Sequence, residues 1–156
     1  MFDRRDWAGW LQGPRKSLES QGIEFGYPGE RLGAPETGPD SIARFGRRIL
    51  ALIIDWASAL LLATFFRDTL GMTTELDIFT LLVFFLHTWL FIAFFGGSFG
   101  HRIMGIKIRT LSGRRISIFQ AALRQLLVCL VIPPVIYDRD QRGLHDKATK
   151  LVAIRG

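Results

Sequence analysis

Cysteine is nearly missing. The 156-residue chain has one, Cys129, inside an apolar run, which rules out an intramolecular disulfide and with it the disulfide-stapled secreted class. The first thirty positions lack an apolar stretch followed by a small-residue cleavage site, so no signal peptide is expected and the N-terminus should stay where it was made. Chemical motifs are scarce too. His87, His101 and His145 are dispersed and no Cys or carboxylate spacing accompanies them, so no metal site or cofactor is expected. Gly100 and Gly105 have phosphate-loop spacing, but Ile106 stands where a lysine is required and no Ser or Thr follows it, which removes the cation and the magnesium ligand. No catalytic Cys or Ser constellation is present, and the chain is not expected to be an enzyme.

Apolar residues are abundant. They make up 49% of the chain, thirteen of them Phe, and the mean hydropathy is +0.24, more apolar than a soluble domain of this length. Residues 49 to 66, ILALIIDWASALLLATFF, carry one charge, Asp55. About ten Leu, Ile and Phe at ~0.5 kcal/mol each favour insertion by ~5 kcal/mol, against ~3 kcal/mol for a central aspartate, and the run reaches ~27 Å as a helix. Residues 78 to 95, IFTLLVFFLHTWLFIAFF, have no formal charge and His87 as their strong polar group. The third stretch, 116 to 137, holds Arg124, Gln120, Gln125 and the pair Pro133 and Pro134. Helix before the prolines covers only ~22 Å of a ~30 Å core, so this segment crosses with a kink or dips in and returns. The expected fold is an all-α membrane protein: two transmembrane helices plus a third helical segment that is Pro-broken or re-entrant.

Charge sets the orientation. The net charge is +6, which a basic membrane protein uses for topology and which need not mean nucleic acid. Residues 67 to 77 carry one basic side chain, whereas residues 96 to 117 carry Arg102, Lys107, Arg109, Arg114 and Arg115 and no acid, so the second loop is expected in the cytoplasm. Arg44, Arg47 and Arg48 before the first span agree, giving a cytoplasmic N-terminus, with the plasma membrane as the expected location. A basic C-terminal tail opposes a third full crossing and favours the re-entrant form. Ile106, Lys107, Ile108 and Arg109 alternate ahead of a turn at residues 111 to 114, which predicts a short basic cytoplasmic hairpin-like loop. Its five cations either lie in water or bind anionic lipid headgroups. Residues 1 to 42 form an expected N-terminal cytoplasmic tail, partly irregular, ahead of a membrane domain at 43 to 155. Trp7, Trp10, Leu11, Pro14 and Leu18 suit a short amphipathic helix over 4 to 21, resting on headgroups or on the protein's own loops.

Intramembrane ionisable groups are functional-site hypotheses by default, since an unpaired one costs several kcal/mol. Arg48 lies seven residues before Asp55, on nearly the same helix face. Counted from Ile49 and Ile118, Asp55 and Arg124 are each six residues into their segments, at a common depth of ~9 Å, which predicts that they pair. His87, at ~12 Å from the cytoplasmic end of its span, is expected to join or border them.

Four pieces in fixed order, RFGRRILALIIDW from Arg44, GGSFGHRIMGIKIRTLSGRRIS from Gly96, AALRQLL from Ala121 and RGLHD from Arg142, resemble the RDD family of small integral membrane proteins over residues 43 to 155. The resemblance implies that the family's named arginine and two aspartates correspond to Arg48, Asp55 and Asp146. After the LHD the family often has Gly-Thr-Val-Val, where this chain reads Lys147-Ala148-Thr149-Lys150-Leu151-Val152. The resemblance implies no settled activity; transport of unidentified ligands is what has usually been suggested for the family. The expectation is a transport or ion-exchange component that works as a homo-oligomer or with a membrane partner, since two or three segments cannot enclose a pathway. The alternative is a non-transporting scaffold whose buried charges are structural. If the C-terminus is cytoplasmic, Arg48 and Asp146 should form an exposed bridge of ~1 kcal/mol or less.

Overall fold

The computed structural model describes residues 26–72, 75–130 and 140–156. The proposed helix over residues 4 to 21 and the prolines at 133 and 134 lie outside the described residues. Helix α1, Phe45–Leu70, and helix α2, Leu76–Phe95, are both long and apolar enough to cross a membrane. Only 22% of the apolar window of each is buried within the fold; the exposed Leu61, Phe65, Ile78 and Phe94 leave an apolar surface that suits lipid and not water.

The contact between the two is made of residues four apart. Ala51, Asp55, Ala59 and Ala63 are the buried positions of α1 beyond Arg48, and Thr80, Phe84, Thr88 and Ile92 are buried on α2. Small residues on one stripe let the backbones approach, and bulkier ones on the other fill the groove. The Thr88 hydroxyl donates to the Phe84 carbonyl at 2.5 Å, so it leaves no bare polar atom in the apolar contact. Gly96 then ends α2 in the left-handed conformation, a position glycine takes without steric cost.

Helix α3, Phe99–Ile103, follows at once and packs on α1. A methyl added at Gly100 would collide with the Ala51 backbone carbonyl of α1, so the pair Gly96 and Gly100 serves a turn and an internal close approach.

Strand β1, Ile106–Thr110, alternates buried and exposed residues as its sequence predicts. The turn at Gly113 also forms, its amide donating to the Thr110 carbonyl at 3.1 Å. The chain does not return as a hairpin, however. It passes into helix α4, Ile118–Cys129, started by a capping box between Ser117 and Gln120, and then, beyond α5, Leu144–Ala148, supplies β1's partner from strand β2, Leu151–Arg155. The two strands pair antiparallel, Ile106 opposite Arg155 and Thr110 opposite Leu151. The all-α expectation is therefore corrected to a mostly helical fold carrying a two-stranded sheet. The physical reason is that Leu-Val-Ala-Ile is apolar on both faces and needs cover on both. Leu151 and Ala153 pack with Ala43, Ala51, Ile106 and Ile108, while Val152 and Ile154 pack with Ile42 under Leu32 and Ala34. Residues before the first span thus join the far edge of β2: the Ala43 amide donates to the Ala153 carbonyl at 3.0 Å, and the Arg155 amide to that of Ser41 at 2.7 Å.

Helix α4 covers ~18 Å among the described residues. Its pattern is inverted: Arg124 and Gln125 are buried while Phe119, Leu123 and Leu126 are exposed. The Trp89 indole donates to the Ile118 carbonyl at 3.0 Å, tying α2 to the start of α4.

Candidate functional site: two buried aspartates

Three elements bring the first cluster together. Arg48 is on the inner face of α1, Arg124 on the buried face of α4, and Asp146 in the first turn of α5. Arg48 donates through Nη1 to Asp146 Oδ2 at 2.9 Å, and Arg124 through Nε to Asp146 Oδ1 at 2.7 Å. The aspartate side chain has no exposed surface, and the two arginines have 7% and 4%. Arg48 is held further by the backbone: its Nε donates to the Ala43 carbonyl at 3.0 Å and its Nη2 to that of Ala153 at 3.3 Å. One guanidinium therefore clasps the start of the first span, the C-terminal strand and the aspartate. Burial alone would raise the Asp146 pKa, but the Arg124 and Arg48 charges, with His145, outweigh it and hold the carboxyl well below the usual carboxylate range. His145 Nε2 lies 3.3 Å from Asp146 Oδ1 and 3.5 Å from Arg124 Nη2, so it can donate to the former or accept from the latter.

The pair expected to be exposed is thus a shielded one, and the predicted contact of Asp55 with Arg124 is corrected, because Arg124 turns to Asp146. Equal depth fixes height along the bilayer normal and leaves the direction around the helix free.

Asp55, 2% exposed, faces α3 instead. Its Oδ1 accepts the Gly100 amide at 2.7 Å, and its Oδ2 accepts the Ser98 hydroxyl. Ser98 caps α3 by accepting the His101 amide at 3.2 Å, and its oxygen also meets His101 Nδ1. A hydroxyl has a single proton. With that proton given to Asp55, His101 must present Nδ1–H to Ser98, which leaves Nε2 as the accepting atom of the neutral ring. The direct distance from His101 Nδ1 to Asp55 Oδ2 is 3.7 Å. Burial pushes the His101 imidazole below its usual pKa against the upward pull of Asp55; Arg124 lowers it further and Asp146 raises it.

His87 does not hydrogen-bond with either cluster. Its ring rests on Phe91 at 5.1 Å between centroids, and its buried Nδ1 meets no hydrogen-bond partner among the described residues. Ser98, His101 and His145 were missed from sequence, although the Ser98-x-x-His101 spacing is that of an N-cap and His145 adjoins Asp146. Of the five loop cations, Arg109 pairs with Asp40 at 2.9 Å on the surface and Arg102 lies 5.0 Å over the Phe95 ring.

Residues 42–150 match the model of the RDD family. No curated protein and no solved structure matches the chain. The matched stretch takes in most of the chain and contains both aspartates, their arginine and histidine partners, and the two helices able to span a bilayer. The chain belongs to the RDD family and is a membrane protein.

Proposed function

We propose that this protein contributes to transport or ion exchange across the plasma membrane, as a homo-oligomer or with a membrane partner, and that Asp55 is its working ionisable group. The observation that supports it most is the environment of Asp55: a buried carboxylate on a spanning helix, met by a hydroxyl, an amide and a histidine, with no guanidinium bonded to it among the described residues. Through Ser98, the Asp55–His101 pair can take up one proton at His101 Nε2 and become an ion pair, then release it. Catalysis is not part of this proposal, since Ser98 is fully buried and stands between His and Asp, where a nucleophile's base would be His in the middle.

The topology we propose puts the N-terminus and the basic loop in the cytoplasm. The pairing of β1 with β2, and of residues 41 to 43 with β2, supports a third segment that dips into the bilayer and returns. Arg102, Lys107, Arg109, Arg114 and Arg115 then face the cytoplasmic headgroups, where each cation contributes ~1 kcal/mol towards anionic lipid.

The competing scaffold reading is favoured by the first cluster, whose one carboxylate is fixed between two guanidiniums. Asp55→Asn in purified protein reconstituted into liposomes separates the two. Flux over a panel of cations under a pH gradient should be lost with protein level kept; undiminished flux, or none from the unaltered protein across the panel, leaves the scaffold.

A further inference from the structure

A cavity of about 230 Å³ lies at the start of α1, lined by Arg44, Arg47, Arg155, Ser41, Glu36 and Thr37 among others. Neither buried aspartate and none of the five loop cations lines it. Three guanidiniums surround it against one carboxylate. Among the described residues the Arg44 and Arg155 side chains form no ion pair or hydrogen bond, and the Arg47 Nη1 donates only to the Met104 carbonyl at 3.0 Å. Structural arginines are usually spent on carboxylates or carbonyls, as Arg48 and Arg124 are here. Arginines left unspent around one hollow present forked donors that match a tetrahedral oxyanion.

The cavity's place says where the anion would come from. Arg44 and Arg47 bracket Phe45, the first residue of a helix able to span a membrane, and Phe45 and Leu50 beside them are exposed apolar side chains of the kind lipid covers. Drug-sized ligands occupy pockets of roughly 300–1,000 Å³; this cavity is smaller and polar-walled, which suits a phosphate group whose remainder projects outward. The dipole of α1 adds to the attraction without making the site.

We infer that Arg44, Arg47 and Arg155 form a binding site for a phosphate group, its sources being an anionic phospholipid headgroup or free phosphate. The site is built from α1 and β2 together, so its occupant would bridge the first span and the C-terminal strand.

The test is calorimetric titration of the full chain in neutral detergent with short-chain phosphatidylglycerol, short-chain phosphatidylcholine and inorganic phosphate. Saturable binding of phosphatidylglycerol, weak binding of the zwitterionic lipid and none of inorganic phosphate assigns the lipid headgroup; saturable inorganic phosphate assigns the free anion. Arg44→Gln with Arg155→Gln should weaken the binding by roughly tenfold or more per arginine, as loss of charge-assisted hydrogen bonds does. Glu36→Gln should strengthen it, a gain that misfolding cannot imitate. Lys147→Gln with Lys150→Gln removes the same charge from exposed positions outside both the cavity and the basic loop and should change it little. No saturable binding of either anion, an equal loss in the lysine variant, or no gain in Glu36→Gln would overturn the site.

Discussion

Asp146 and Asp55 are both shut away from water, and their surroundings differ in kind. Asp146 spends its two oxygens on two guanidiniums drawn from α1 and α4, each also desolvated. Asp55 spends its own on a hydroxyl and an amide of α3, with a titratable ring behind the hydroxyl. A carboxylate between two permanent cations is a fixed charge that pins elements together; one that meets neutral donors and a histidine can exchange its counter-charge with a proton. The division of labour follows: the first cluster joins the C-terminal part of the chain to the first span, and the second is where charge can change.

The largest effect should come from emptying the first cluster. Asp146→Ala would leave the Arg48 and Arg124 guanidiniums facing each other without a counter-ion, and stranding buried charge costs ~3 to 5 kcal/mol, a large share of an ordinary stability of ~5 to 15 kcal/mol. Folded, monodisperse protein should fall sharply. Arg48→Ala or Arg124→Ala should each cost less than Asp146→Ala, since one guanidinium remains, and the double arginine variant should lose more than the sum of the singles, because it alone strips the aspartate of both. Additive losses, or a well-folded Asp146→Ala protein, would break the contrast between the two aspartates.

Next in size is Ser98→Ala, which removes the hydroxyl between Asp55 and His101 along with the cap of α3. A lost buried hydrogen bond of this type costs ~1 to 3 kcal/mol. The fold should survive, while the pH profile of any flux shifts because His101 no longer communicates with Asp55. An unchanged profile would detach His101 from the proposed mechanism.

Much of this arrangement could be read before any coordinates. Both spans follow from uninterrupted apolar runs, which is the strongest signal a chain gives about a membrane. Arg48 and Asp146 were brought together through the family resemblance, yet their burial was not, because the cover comes from β2, whose Leu151 to Ile154 looked like the end of a basic tail. Strand pairing across residues 106 to 155 is non-local, and alternation alone names a strand without naming its partner. The Asp55 partner was misassigned because helical depth is a one-dimensional coordinate. The polar cap that takes Asp55 belongs to the turn after Gly96, where the sequence offered the Ser98 and His101 spacing and the glycine that lets α3 approach α1.

A smaller effect is expected from acid. His101 has a folded pKa below the usual ~6.5. As pH falls through ~6.5 the unfolded chain binds a proton that the folded one refuses, so stability drops from there down to the folded value and then levels off. Asp146 behaves differently: its folded pKa is depressed, so its contribution is complete above the ordinary ~3.9 and is lost only as pH falls below that. Thermal melts in detergent should therefore show two acid limbs. His101→Gln should flatten the upper limb and leave the lower one; a variant that keeps both would mean another group titrates in the upper limb.

The smallest effect isolates burial from charge. Arg109 and Asp40 pair at 2.9 Å, the same separation as Arg48 and Asp146, but their side chains are 61% and 62% exposed where those of the inner pair are 7% and 0%. Water screens the outer pair and solvates either partner left alone, so it should contribute ~1 kcal/mol or less and fade with salt. Arg109→Gln should leave the melting temperature nearly unmoved and remove what little salt dependence the pair supplies, whereas Arg48→Gln, at equal distance and equal charge lost, should destabilise the protein severely at any ionic strength. If the two substitutions cost the same, then desolvation is not what gives the inner cluster its hold, and the backbone bonds of Arg48 to Ala43 and Ala153, which are lost with the guanidinium, contribute little.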